Sequence, residues 1–600
     1  MKRKAALFLA LALTVTTLSA CGGNSSGSTT DTNTADSAET TDATDETTSD
    51  ETDAADADSA AATDTSAVDP SNWGEFDSLI KEIKSTTDYE EREALMHQAE
   101  DILMETGALL PLYYYNDIYL QKSNVSNIYS NLYGFKYFQF AETDSDTLKI
   151  NLSSEPDYLD PALNSSVDGA CLAVNSFAGL YTYDDKLSVQ PDLAADCEVS
   201  EDGMTYTITL LPDLKWSDGS ELNANDFVYS WNRAVNPDTA ADYAYMFDVI
   251  EANADGTLNV TASEDGQSLT IVLGSPCAYF LDLLAFPAYY PVKQSEVEGA
   301  AGWETNPGAW CQEAGFVSNG AYTLDAWTHE QSMTYVKNPN YHRADEVKVE
   351  TLQFMLSADD TAIYAAYNAG NLDFADTVPT DEIASLLDNP EFHIVDNLGT
   401  YYVCFNVKSP LFADKTPAQA NAMRRAFALL VDRDYIVENI GQTGQQPANS
   451  FIPAGMADGH GGVFKENDGA YTFPNADTTG YFDPYALDEN LDEAIELLEF
   501  AGFEFTDDGM LSDATPITFE YLTNEGTGHV AIAESLQQDF GLIGINMTIK
   551  TCDWNVFLDE RKAGNYDIAR NGWLADFNDP INMLEMWTTD SGNNDVQYGR

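Results

Sequence analysis

NYDIARNGWLADFNDP, residues 565–580, decides how the rest of the chain is read. It begins as a buried strand, with Tyr566, Ile568 and Ala569 apolar and Asp567 at the edge. It ends in a loop carrying Trp573, Asp576 and Asp579. Pro580 forces a turn there, because proline cannot continue a ladder and restricts the residue before it. One carboxylate beside a tryptophan, on a loop fed by a core strand, presents a fixed negative charge in a dry cleft. That arrangement suits a ligand ammonium group. The plainer reading is a solvated aspartate next to a packed tryptophan, and the neighbouring segments decide between the two.

The 600 residues carry 100 Asp and Glu against 27 Lys and Arg, a formal net charge of -73. No basic surface is available to neutralise phosphates, so nucleic acid is excluded as a partner. The length suffices for roughly two or three domains. Tyrosine is abundant, 32 residues, and on a cleft wall it offers area, stacking and a hydroxyl at low entropic cost.

The first residues read as an address. Lys2, Arg3 and Lys4 precede an apolar core at 5–17, too short for a comfortable membrane span. Residues 18–22, LSACG, resemble a bacterial lipobox, in which Cys21 becomes the lipidated first residue of the mature protein. From 22 to about 71 the chain is Ser, Thr, Ala, Asp, Glu and Gly. It cannot bury enough apolar surface to offset chain entropy, so a disordered, self-repelling tether is expected. A solubilising stalk is compatible with the same role.

Further on, periodicity predicts helices near 72–83 and from Asp88, where Glu91 completes a capping pattern and Gly107 ends the helix. Residues 109–115, LLPLYYY, read as a strand, followed by an aromatic tail over 129–140. Residues 148–152 alternate like a strand, 170–180 look helical, and 258–273 form two strands about a glycine turn. Helices are expected at 225–234, 417–430, 491–502 and 529–540, with strands at 206–210 and 517–521. Strands and helices alternate throughout, which predicts an α/β chain with mixed sheets. After Cys21, six cysteines remain without a CxxC pair or a histidine at ligand spacing, so structural zinc is not expected. Buried thiols and disulfides both stay open.

Four segments resemble the oligopeptide-binding proteins of bacterial ABC importers, the peptide/nickel type of solute-binding lipoprotein. They are LKWSDGSELNANDFVYSW at 214–231, SNGAYTLDAWTHEQSMTYVKNPNY at 318–341, RRAFALLVDRDYI at 424–436 and WNVFLDERKAGNYDIARNGWLADFNDP at 554–580. The likeness runs from about Leu148 to Arg600. One departure is notable. The helix, LPLYYY strand and aromatic tail that usually end the family stand here at 92–140, ahead of its usual first strand. This order implies a circular permutation, with the usual ends joined through 142–146 and the new ends between Gly599 and Trp73.

The resemblance implies a bilobed periplasmic-binding-protein-like fold with an extra domain and a hinge. One lobe would comprise 147–177, 306–399 and 116–141; the extra domain 178–305; the second lobe 400–600 with 72–115. The hinge would cross near 115–116 and 399–400. It also implies a receptor that encloses short peptides between its lobes and delivers them to importer permeases, with no cofactor, as a monomer at the cell surface. Asp576 would bind the peptide α-ammonium, and Trp573 and Trp554 would line side-chain pockets. Arg561 and Arg570 would face the peptide carboxylate; their alternative is structural pairing with Asp559, Glu560 or Asp567. Tyr115, Tyr243 and Val167 fall on ligand-lining positions, and His529 lies near one that can meet a carboxylate. Ser165 stands where well-known members carry an acid, so a salt link is expected to be missing. Gly399 and Leu574 replace a possible cysteine pair.

No GxSxG, HExxH or P-loop pattern occurs, and the calcium-loop-like 251–262 ends in Ala262 rather than Glu. A hydrolase is therefore not expected. A receptor for another small solute (a sugar or metal complex) or a peptide-pheromone sensor would share this sequence logic.

Overall fold

The computed structural model describes residues 67–600 apart from 153, 154, 185, 187, 469 and 470. The leader, Cys21 and nearly all of the acidic tract lie outside the described residues. Among the described residues, no helix is long and apolar enough to cross a membrane.

Eleven strands form the main sheet. Its path runs Tyr322–Thr328, Ser332–Lys337, Thr351–Met355, Thr147–Asn151, Phe374–Ala375, Leu109–Gln121, Phe392–Phe405, Ile568–Leu574, Thr518–Asn524 and Asn546–Cys552, and Gln446–Pro447 pairs on Leu109–Gln121. Two long antiparallel strands, Leu109–Gln121 and Phe392–Phe405, cross its middle. Leu109, Leu110 and Leu112 are buried at the start of the first, each contributing about 2 kcal/mol of apolar burial. Their register shifts between Tyr114 and Asn116, opposite 396–400. A bulge bends its strand, so the sheet turns beside Tyr115.

Parallel pairs sit at both ends. Thr147–Asn151 runs parallel to Thr351–Met355 and Phe374–Ala375. Thr518–Asn524 runs parallel to Asn546–Cys552 and Ile568–Leu574. Parallel neighbours need crossovers, and helices Thr527–Gly541 and Trp554–Lys562 supply two of them. The sheet is mixed, as the alternation of elements predicted. A separate four-stranded antiparallel sheet holds Ala194–Val199, Thr205–Leu210, Ser268–Val272 and Val260–Ala262.

Residues 72–140 are woven into this architecture. Helix Tyr89–Thr106 is capped by Asp88, whose carboxylate accepts the Glu91 N–H, and ends at Gly107 with φ 63°. A Cβ at Gly107 would stand 2.7 Å from the Arg425 nitrogen, so that close approach requires glycine. Trp73 stacks on Tyr598 at 4.0 Å and donates its indole N–H to the Trp587 carbonyl. Arg92 makes a two-pronged ion pair with Asp579, both contacts 2.8 Å.

Local limits differ from expectation where capping decides them. The helix expected at 170–180 is Val167–Ser176, because the Ser166 hydroxyl accepts the Gly169 N–H and starts it early. The strand expected at 109–115 continues to Gln121, since residues beyond the bulge find partners in 392–396. All six described cysteines are free thiols.

Candidate functional site

A cavity of about 370 Å³ opens where the long central strands meet Ile568–Leu574 and helices Val167–Ser176, Thr527–Gly541 and Trp554–Lys562. Tyr115, Ser165, Val167 and His529 line it, together with Trp554, Arg561, Arg570 and Trp573. Eight of the ten expected ligand-contact residues therefore share one cavity. The other two, Tyr243 and Asp576, lie behind Trp573: Tyr243 stands 6.1 Å from its ring and hydrogen-bonds Asp576 at 3.1 Å. A larger hollow of about 930 Å³ lies elsewhere, among Asp101, Glu105, Tyr481 and Glu489. It takes in no residue of the 565–580 stretch.

Strand Ile568–Leu574 explains much of the placement. Gly572 leaves room for Tyr115: a Cβ there would stand 2.1 Å from the tyrosine hydroxyl. Gly399 pairs directly with Leu574, and a Cβ on it would meet the Trp573 carbonyl at 2.4 Å. The strand then delivers Trp573 and Asp576 to Asn582. The Asn582 side-chain oxygen accepts the Trp573 indole N–H and the Asp576 backbone N–H, and its nitrogen donates to the Asp576 carboxylate at 2.9 Å.

Asp576 is 5% exposed. Its oxygens are held by two neutral donors, Tyr243 and Asn582, and among the described residues no side-chain cation pairs with it. Burial pushes its pKa up to about 7, because desolvation disfavours the ionised form.

Arg570 is the mirror case. Its Nε donates to Asn524 at 2.8 Å, and its terminal nitrogen lies 2.9 Å from His529 Nε2. Its guanidinium sits over Trp554 and Phe557, both at 5.3 Å. Among the described residues no carboxylate pairs with Arg570. Burial first, and the Arg570 charge second, hold the His529 imidazole neutral, well below its ordinary pKa. The His529 imidazole turns into the cavity and touches the Tyr401 hydroxyl at 3.1 Å.

Arg561 is neutralised by Asp595 at 2.8 Å. Neither Asp559 nor Glu560 serves it, because residues one and two apart on a helix do not face each other. Asp567 likewise does not serve Arg570: three steps along a strand point to opposite faces. Ser165 carries no charge of its own but lies beside an ion pair made by other residues. Asp242 supplies the acid, pairing with Lys562, while Ser165 donates to Asp242 at 2.9 Å and accepts from Lys562 at 2.7 Å.

No sequence signal marked Asn582, Asp242, Lys562, or the buried Lys136 that bridges Asp117 at 2.7 Å and Asp376 at 2.9 Å on the cavity wall. Asp242 and Lys136 come from distant segments, and none of the four carries a spacing pattern.

A model of the bacterial extracellular solute-binding proteins, family 5 Middle, matches residues 188–595. The chain belongs to this family. It is similar to the oligopeptide-binding protein OppA of Bacillus subtilis, 31% identical across 75% of this chain and 79% of that protein. It is 30% identical to the dipeptide-binding protein DppE of the same organism, over 74% and 78% of the two chains. The crystal structure of Haemophilus influenzae OppA in complex with RPPGFSPFR superposes with a TM-score of 0.65 at 27% identity, covering 76% of this chain and 85% of that one. The family 5 architecture is thus the bilobed, mixed-sheet fold expected from the sequence.

Proposed function

We propose that the protein is an extracytoplasmic receptor that binds short peptides in the Trp573–Arg570 cleft and delivers them to an ABC importer. One observation carries this reading. The cleft region holds a buried carboxylate without a cation, Asp576, and a buried guanidinium without an anion, Arg570. Charges left alone in a desolvated site are costly. A ligand with an ammonium at one end and a carboxylate at the other relieves both. Between them stand Trp554, Trp573 and Tyr115, which accept varied side chains by contact area rather than by a fixed hydrogen-bond pattern. The peptide-binding names of the relatives agree with this chemistry. For the ammonium to reach Asp576, Trp573 or Tyr243 must shift. Lipid attachment at Cys21, with 22–71 as a tether, would hold the receptor outside the membrane.

Native mass spectrometry of the protein produced without lipid tests the class. Extra mass resolving into a ladder of short peptides supports it. A single non-peptide solute contradicts it, as does failure to bind an added peptide mixture.

We also infer that the order of segments is a circular permutation of the family. Strand Leu109–Gln121 is interior to the main sheet, and Trp73 stacks on Tyr598, so residues 72–140 behave as part of the binding fold rather than as an appendage. A reordered chain carrying 72–141 after Arg600 should fold and bind peptide with unchanged affinity. A reordered chain that folds yet fails to bind would contradict the inference.

A further inference from the structure

Helix Tyr89–Thr106 carries Glu93 and His97 four residues apart, hence on one face. Opposite that face, Asp458 accepts the backbone N–H groups of His460, Gly461 and Gly462 at 2.7, 2.9 and 2.8 Å, bending the loop so that His460 returns to the helix. Gly459 and Gly461 have φ of 90° and 115°, which this turn requires. His460 Nε2 then lies 2.8 Å from one Glu93 oxygen and 3.7 Å from Asp458 Oδ2. One ligand atom from each of Glu93, Asp458 and His460 lies within 4.8 Å of the others.

A separate observation points to a missing partner. His97 is buried, 1% exposed, and among the described residues its imidazole makes no hydrogen bond: Nδ1 is unpartnered, and Nε2 faces the second Glu93 oxygen at 3.9 Å, too far to bond. The ring is sandwiched between Phe464 and Tyr471, each 3.9 Å away, so it cannot turn aside to find one. The contacts that aim it at Glu93 thus leave its polar edge unused.

We propose that Glu93, His97, Asp458 and His460 form a binding site for one divalent transition-metal cation of the zinc type. Ligand atoms around tetrahedral zinc, bound at about 2.0–2.2 Å, lie roughly 3.3–3.6 Å apart. His460 Nε2 stands 2.8 Å from one Glu93 oxygen and 3.7 Å from Asp458, separations that bracket that value, and His97 Nε2, 3.9 Å from the other Glu93 oxygen, is the remaining donor beside them. Two imidazoles with two carboxylates favour zinc, cobalt or nickel over calcium and magnesium, which prefer all-oxygen sets. The cation would relieve the repulsion between two buried carboxylates, Glu93 and Asp458, that converge on one imidazole, His460. Glu90 and Asp468, which also act electrostatically on the cluster, add attraction for it. His460, with a third of its side chain exposed, gives access from solvent. The site would fasten the 456–463 loop to the helix whose neighbouring Arg92 holds Asp579, and so brace the Asp576 loop.

Cobalt titration of the full chain in millimolar magnesium tests the proposal, since magnesium suppresses loose binding by the acidic tract. A single equivalent should bind with visible bands of four-coordinate cobalt and no thiolate charge-transfer band, and zinc should displace it. His460→Ala, at an accessible position that leaves the helix packing alone, should weaken binding at least about tenfold, and Glu93→Gln should do the same. Absence of stoichiometric cobalt at micromolar concentration overturns the proposal. So does equal binding by folded His460→Ala, or a thiolate band placing the metal on cysteine.

Discussion

Tyr243 donates its hydroxyl to Asp576 at 3.1 Å across 333 residues of sequence. The two side chains come from different parts of the fold, and together with Asn582 they supply only neutral hydrogen bonds to a buried carboxylate. Neutral donors position the charge without cancelling it. Among the described residues, Asp576 is therefore a buried carboxylate with no cationic partner.

Asp576→Asn should reduce affinity for peptides with a free amine by about 3 kcal/mol, roughly two powers of ten, because the ligand ammonium would be desolvated without a partner. The unliganded variant should be at least as stable as the parent at neutral pH, since a costly buried charge is gone. Calorimetric titration and thermal unfolding check the two halves separately.

The pH dependence follows from the same group. The folded pKa of Asp576 is raised from 3.8 to about 7. The protonated form favours folding, so its contribution to unliganded stability is lost as pH rises from about 4 towards 7. Binding an ammonium needs the ionised form. Affinity should therefore weaken below about 7, by up to tenfold per unit, and weaken again above about 8, where the peptide α-amine loses its proton. Asp576→Asn should remove the acidic limb and flatten the alkaline one, since no carboxylate remains to distinguish the ammonium from the neutral amine.

Arg570→Met should weaken binding of peptides with a free C-terminal carboxylate and leave C-terminal amides little changed. Arg570→Lys should not restore it, because the guanidinium sits over Trp554 and Phe557 while donating to Asn524, a fork that an ammonium cannot reproduce. Paired affinity measurements with acid and amide forms of one peptide give the answer.

Lys562 joins the end of helix Trp554–Lys562 to Ser165 and Asp242 on the facing wall. Lys562→Met should accelerate peptide release by roughly five- to thirtyfold, the equivalent of about 1–2 kcal/mol for a partly buried pair. The association rate should change little. Stopped-flow displacement distinguishes this from an unaltered release rate, which would show that the pair does not help hold the cleft closed.

The parts legible in sequence were those with local grammar. The run 565–580 read as strand then turn because apolar spacing and Pro580 act on their immediate neighbours, and the observed strand is Ile568–Leu574. Asp88 and Gly107 announced both ends of their helix. What was hidden depends on tertiary approach. Asp579 sat in the same loop as Asp576 with the same chemistry, yet it is consumed by Arg92, 487 residues away. Arg561 and Arg570 looked alike, but among the described residues Arg561 meets a carboxylate and Arg570 does not. The Asp242–Lys562 pair beside Ser165 was hidden because Asp242 comes from a segment with no motif of its own.

The central claim is that Asp576 receives a peptide α-ammonium. Its most direct test is calorimetric titration of the protein and of Asp576→Asn with one peptide in free-amine and N-acetylated forms. The account predicts that acetylation costs the parent protein about a hundredfold in affinity, and that Asp576→Asn binds both forms weakly and almost equally. If the parent protein binds the acetylated peptide as tightly as the free one, Asp576 is not the amine anchor and the proposed orientation of the ligand is wrong.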